Sequence, residues 1–338
     1  MTDPFRTGSG WECTHPGDDD EPVHGPDDRD ECHAWDMRIC VKLSDMDSRL
    51  AGTSGATMTD PIVTEPGIYD LPEDVYHADV ALVPTLGRSL SSSGAKALAR
   101  GDRTPAHYAH ELTHRVSKDT WDVGTVAHAL ILNNADDRIR VVDAYDWRTK
   151  VAQQAKVDGR DAGLVVVHRG QLREAARMAS AVRRNPTARD VLDAPGLTEK
   201  SIYWIDERTG VTCRGRIDRI ASGKALVDIK TSEDASPSGF GRQAWNLGYL
   251  QQAAWYVDGW HALTGETLPW VWLVVEKSRP HLVAHYWASH EQLAYGRAQN
   301  EEALRIYAEC ASAGRWPGYS PEIEPLTLPR WAALAVGA

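Results

Sequence analysis

"GRIDRIASGKALVDIKT", residues 215 to 231, decides how this chain folds. Two apolar runs, 217–221 and 225–229, flank Ser222, Gly223 and Lys224, which is the pattern of a β-hairpin. A three-residue hairpin loop usually needs one residue in the left-handed region, and Gly223 supplies it. That loop pairs Ala221 with Ala225 and sets Asp218 opposite Asp228. A two-residue loop would send Asp228 to the other face. Lys230 lies on the face of Asp228, two residues on. Strands are normally poor in Asp and Lys, and opposed like charges with Cβ atoms about 4.5–5.5 Å apart destabilise a sheet. A divalent cation removes that repulsion. Hard ions such as Mg²⁺ take carboxylate, backbone carbonyl and water oxygens, usually with one or two carboxylates from the protein. Such an ion activates water and neutralises charge on a phosphate undergoing displacement, and a neighbouring lysine orients the water or stabilises the pentavalent phosphate. A solvated sheet face with Lys230 as counter-ion is the plain alternative, and the hairpin by itself leaves both open.

Outward from the hairpin, the chain of 338 residues has length for one large domain or two smaller ones, with 42% hydrophobic and 25% charged residues. No apolar run approaches the ~18 residues of a membrane span, and the N-terminus has no basic-then-apolar leader pattern. The expectation is a cytoplasmic protein without membrane association. Five cysteines (13, 32, 40, 213 and 310) are too few and too scattered for a secreted disulfide framework. The net charge of −11 does not exclude a nucleic-acid partner, because residues 1–57 carry −8 of it and 58–338 only −3.

Residues 1–57 are expected to form a disordered acidic tail, since "THPGDDDEPVHGPDDRDE" lacks apolar periodicity. Its Cys and His residues match no compact zinc spacing. "MTDP" occurs at residues 1 and 58, which makes Met58 a candidate start. Residues 58–338 read as a single domain with its core at about 120–313. Short helices are expected in "SLSSSGAKALAR" and "TPAHYAHELTH", then an apolar helix over 120–133 and another over "RGQLREAARMASAVRRNPTARDVL", broken near Pro186. Strands follow at 200–206, 211–221 and 225–231, a long helix at about 239–263, strands at 270–278 and 281–288, and a last helix at 289–313. This order indicates an α/β (α+β) fold, a central mixed sheet flanked by helices with a helical region before it.

Two further signals accompany the hairpin. His128 lies one helical turn after Gly124 in "GTVAHALIL". In "YLQQAAWY", Tyr249, Gln252 and Tyr256 share one helical face, suited to contact a DNA backbone or to brace Lys230. The order G-x-x-x-H on a helix, D-x9-D-x-K on a hairpin and Q-x-x-x-Y on the next helix resembles the PD-(D/E)XK nuclease superfamily. More narrowly it resembles the RecB-like branch and RecE-type exonuclease VIII domains, to which "GIYDLPEDVYHAD…SLSSSGAKAL…TPAHYAHE" is also similar. The resemblance spans about residues 66–310.

By that resemblance the fold is a restriction-endonuclease-like core. Asp218 and Asp228 hold Mg²⁺, with Mn²⁺ as substitute and the Ile229 carbonyl as a further ligand. Lys230 is the catalytic lysine, His128 the added metal-proximal residue, Gln252 and Tyr256 the trailing motif, and Glu199 a supporting residue at the metal. The implied activity is an ATP-independent exodeoxyribonuclease. It would degrade linear double-stranded DNA 5′ to 3′ and leave 3′ single strands for phage-type recombination. The implied partners are a RecT-type single-strand annealing protein and further copies of the chain in a homo-oligomer. A repair- or restriction-type endonuclease and an inactive DNA-binding module are the alternatives. The chain lacks the clustered cysteines of the iron–sulfur branches, and it has no P-loop motif.

Overall fold

The computed structural model describes residues 63–79, 87–101, 103–114, 122–133 and 139–326. They belong to one compact unit, Thr57–Ala338. The expected acidic tail and its Cys and His residues lie outside the described residues.

In chain order the strands are β1 (Gly67–Tyr69), β2 (Leu90–Ser91), β3 (Ile139–Val142), β4 (Val165–His168), β5 (Gly196–Ile205), β6 (Thr212–Ala221), β7 (Ala225–Ser232), β8 (Trp270–Glu276) and β9 (Val283–Trp287). The helices are α1 (Glu73–Ala78), α2 (Ser92–Ala99), α3 (Pro105–Thr113), α4 (Asp122–Ile131), α5 (Lys150–Asp161), α6 (Arg169–Arg184), α7 (Pro186–Leu192), α8 (Pro237–Leu247), α9 (Tyr249–Thr264) and α10 (His290–Ala313). Among the described residues the main sheet has seven strands in the order β1-β5-β6-β7-β8-β9, with β2 beside β6. β7 and β8 run parallel, as do β2 and β6, and the remaining pairs are antiparallel. This is the mixed α/β sheet that the sequence indicates.

The hairpin forms as its turn chemistry requires. Gly223 has φ 66°, the Lys224 amide donates to the Ala221 carbonyl at 3.0 Å, and Ala221 pairs with Ala225. The β6–β7 ladder then ends at Arg219↔Val227. At the far end of the same β6 edge, β2 pairs with Cys213 and Arg214. Between these two partners residues 215–218 carry no ladder on that edge, so the sheet opens into a notch next to Asp218.

Two cores cover the sheet. On one side Leu226, Ile220 and Trp272 pack with α2, α9 and α10 through Leu98, Trp255, Trp260 and Leu304. On the other side Val227, Ile229 and Leu273 pack with α4, α6 and α7 through Val126, Ile131, Met178 and Leu192. Alternate residues of β7 thus feed opposite cores.

The structure differs from the sequence reading in three places, the first being β1, α1 and β2, which that reading did not include. The helix expected over 239–263 is two helices, because Gly248 takes φ 66° and caps α8 while opening α9. Residues 139–168 hold a two-stranded parallel sheet, β3 and β4, with α5 between them.

Candidate active site

The notch gathers side chains from both helix layers. Glu199, Asp218 and Asp228 stand in one row across β5, β6 and β7, at the positions where each ladder is interrupted. Glu199 has φ 49°, left-handed backbone that a non-glycine residue rarely adopts. Its carboxylate lies 3.6 Å from His128 Nδ1 and 3.5 Å from Arg216 Nη2.

Gly124 explains how α4 delivers His128. A Cβ there would sit 3.3 Å from Thr231 Oγ1, so the glycine lets the helix approach β7 closely. One turn on, His128 Nε2 lies 3.0 Å from Asp218 Oδ2. The same Asp218 oxygen accepts the Ile229 backbone N–H at 2.8 Å, bridging the edges where the ladder has ended.

Asp228 is 3% exposed, so the solvated-face alternative does not apply. Lys230 Nζ donates to its Oδ1 at 2.6 Å, and Gln252 Nε2 donates to the same oxygen at 3.2 Å. Gln252 therefore braces the carboxylate rather than Lys230. The bracing of Lys230 falls to Tyr249, whose ring centroid lies 5.0 Å from Nζ. Tyr256 lies beneath this surface. It is buried flat against Trp270, with ring centroids 5.3 Å apart at 7°, and a Cβ on Gly215 would come within 2.4 Å of its ring. Its part is to fill the sheet under the notch.

The electrostatics follow from this packing. Burial pushes Asp228 up to about 6, with the Asp218 charge adding to it and Lys230 opposing it. Burial acts on Asp218 in the same sense, but His128, Lys230 and the Ile229 N–H together hold it below the usual carboxylate value. Burial would lower Lys230, yet Asp228 and Asp218 outweigh it and keep the amine above its ordinary value. His128 is raised likewise, because Asp218 and Glu199 outweigh its burial.

Lys96, from α2, is a neighbour that no local sequence pattern marks. Burial and the charge of Lys230 push it down to about 8.

The donor set fits a hard divalent cation. Asp228 is buried with both carboxylate oxygens 2.6 Å from Lys230 Nζ, so its present cation is an ammonium. Two carboxylates are the usual protein share of a Mg²⁺ shell, the rest being water and phosphate oxygens. Among the described residues no group of three or more His, Cys, Asp or Glu side chains is placed to hold a metal ion, so the protein's side-chain share here is the two carboxylates.

A mixed sheet carrying Asp, Asp and Lys on a notched hairpin, with a helix-borne His over it, defines a PD-(D/E)XK nuclease-type domain. The chain belongs to the family described as PDDEXK-like domain of unknown function (DUF3799), whose model matches residues 91–329. It is similar to a crystal structure from Eubacterium rectale described as that of a candidate exonuclease. The TM-score is 0.53 at 15% identity, covering 80% of this chain and 99% of the other, a likeness of fold. No curated protein matches the chain. No helix among the described residues is long and apolar enough to cross a membrane.

Proposed function

We propose that the protein is a Mg²⁺-dependent exodeoxyribonuclease of RecE type, with Mn²⁺ as substitute, acting on linear double-stranded DNA. The observation that carries this reading is the buried Asp228, one register step beyond the last β6–β7 pair and so across from Asp218, with Lys230 against its carboxylate. Asp218, Asp228 and the Ile229 carbonyl would hold the metal, which supplies a more acidic water and charge neutralisation at the phosphate. His128 and the Ile229 N–H fix the orientation of Asp218. Gln252 does the same for Asp228.

In the metal-free protein Asp228 and Asp218 hold the Lys230 amine above its ordinary value. In this reading Lys230 acts as a cation and hydrogen-bond donor to the attacking water or a phosphate oxygen. A 5′-to-3′ polarity, a RecT-type annealing partner and a homo-oligomer complete the RecE-type reading.

End-labelled linear duplex and covalently closed circular DNA, each incubated with Mg²⁺, Mn²⁺ or EDTA, test it. Metal-dependent loss of the linear form alone, from its 5′ ends, is expected. Cutting of the circle would assign an endonuclease instead, and cutting of neither form would leave a DNA-binding module.

A further inference from the structure

A second surface adjoins this centre at the break between α8 and α9. The last turn of α8 exposes Trp245 at 58%, and α10 brings up Tyr295, exposed at 42%. The two rings stack with centroids 5.2 Å apart at 22°. They border an open cavity of about 230 Å³ lined also by Ala99, Arg100, Ala244 and Gln299. This is below the ~300–1,000 Å³ of drug-sized sites and in scale with one planar base.

The surface is cationic on the side facing the centre. A Cβ on Gly248 would meet Arg100 Nη1 and Lys96 Cδ, both at 2.9 Å, so the two cationic side chains lie over the break itself. Lys96 Nζ lies 6.0 Å from the Tyr249 ring, which also carries Lys230 Nζ at 5.0 Å. Lys96 donates to the Leu247 carbonyl at 3.4 Å. Among the described residues neither Lys96 nor Arg100 forms a salt bridge, although the Asp228 charge acts on Lys96. The sequence Lys230, Tyr249, Lys96, Arg100, Trp245 is thus a continuous track from the metal-site lysine to an exposed aromatic pair.

We propose that this track binds a single DNA strand, with a base stacked on the Trp245–Tyr295 pair and Lys96 and Arg100 on the phosphates between it and the centre. The inference rests on the nuclease reading and names the form of substrate held beside that site. A base inside a duplex has both faces covered and a terminal base is held in its pair, so an unpaired base extends the aromatic stack most readily. Every base has such a face, which makes the site tolerant of sequence.

The test is fluorescence anisotropy of the full chain in EDTA, with a labelled single-stranded oligonucleotide and with a blunt duplex. Trp245→Ala and Tyr295→Ala should bind the single strand about five- to a hundredfold more weakly. Their binding to the blunt duplex should change less than twofold. Trp245→Phe should restore single-strand binding, and Trp287→Ala, at a 67% exposed position on β9, should leave it unchanged. Unchanged single-strand binding by Trp245→Ala and Tyr295→Ala would overturn the proposal while leaving a cleaving wild type intact as a nuclease. Equal loss for the blunt duplex, or equal loss in Trp287→Ala, would overturn it too. Binding of neither DNA by the wild type would overturn this inference, while the nuclease reading is decided separately by metal-dependent cleavage. Should Trp245→Ala fail to fold, Tyr295→Ala and Trp245→Phe carry the comparison.

Discussion

Replacing Asp228 by Asn should change how the metal-free protein responds to pH. The carboxyl is 3% exposed, and burial with the Asp218 charge pushes it from an ordinary 3.8 up to about 6. A raised acid binds its proton more tightly in the folded than in the unfolded chain. Its contribution to stability is therefore complete below the unfolded value of 3.8 and is lost as pH rises through about 6. The displacement corresponds to about 3 kcal/mol, and so deeply buried a group has little solvent screening to reduce it. His128 is raised as well, so its contribution falls with rising pH in the same direction. Comparison of wild type with Asp228→Asn keeps that histidine in both chains and isolates the carboxyl. Lys230 loses its partner in the variant, which shifts the whole stability curve rather than its slope.

Urea unfolding in EDTA at half-unit steps from pH 4.5 to 8 measures the difference. The wild type should lose about 2 kcal/mol of that relative to Asp228→Asn across this range, the rest falling below pH 4.5. Mg²⁺ added at pH 8 should then stabilise the wild type by ~2.7 kcal/mol at a hundred times its dissociation constant, and the variant hardly at all. Parallel pH curves for the two proteins in EDTA would refute the reasoning, because Asp228 would then not be a strained buried acid.

Four other outcomes follow from the geometry. Lys230→Ala should lower Mg²⁺-dependent cleavage of linear DNA by ~10²–10³, the usual cost of removing one fixed donor, with its far-ultraviolet circular dichroism unchanged. Gly215→Ala should destabilise by about 3 kcal/mol in denaturant unfolding, because its Cβ would come within 2.4 Å of a Tyr256 ring that Trp270 prevents from retreating. Gly241→Ala, with open space around its Cβ in helix α8, should instead stabilise by roughly 0.5–1 kcal/mol. Gly124→Val should push α4 off Thr231, part His128 from Asp218 and lower cleavage by about tenfold or more, with a stability loss of ~1–3 kcal/mol.

The hairpin was legible because its turn and its period act over a dozen residues. Gly223 sets the loop length, the loop length sets the register, and the register places Asp218 against Asp228. The G-x-x-x-H spacing was legible for a similar reason, since one helical turn separates the glycine that touches Thr231 from the histidine that reaches Asp218. The break at Gly248 was not, because 239–263 keeps helical periodicity through it and a single glycine is tolerated inside many helices. β3 and β4 escaped reading because four residues each, paired only with one another, are too short to show a period. Lys96 had no local signal at all, for its approach to Tyr249 depends on the docking of α2 across more than 150 residues of chain. The full burial of Asp228 was equally hidden, since the alternation of β7 gives its face but not what covers that face.

Because Glu199, Asp218 and Asp228 sit on three adjacent interior strands, the centre shares the slowest-opening part of the molecule. Loops that carry catalytic groups breathe on their own, at free energies far below that of global unfolding. Amides of β6 bonded to β5 should exchange with solvent deuterium about as slowly as those of the core itself, and faster where 215–218 face the notch. The carboxylates then stay in place through any fluctuation short of losing the sheet, while His128 and Gln252 follow the helices that carry them.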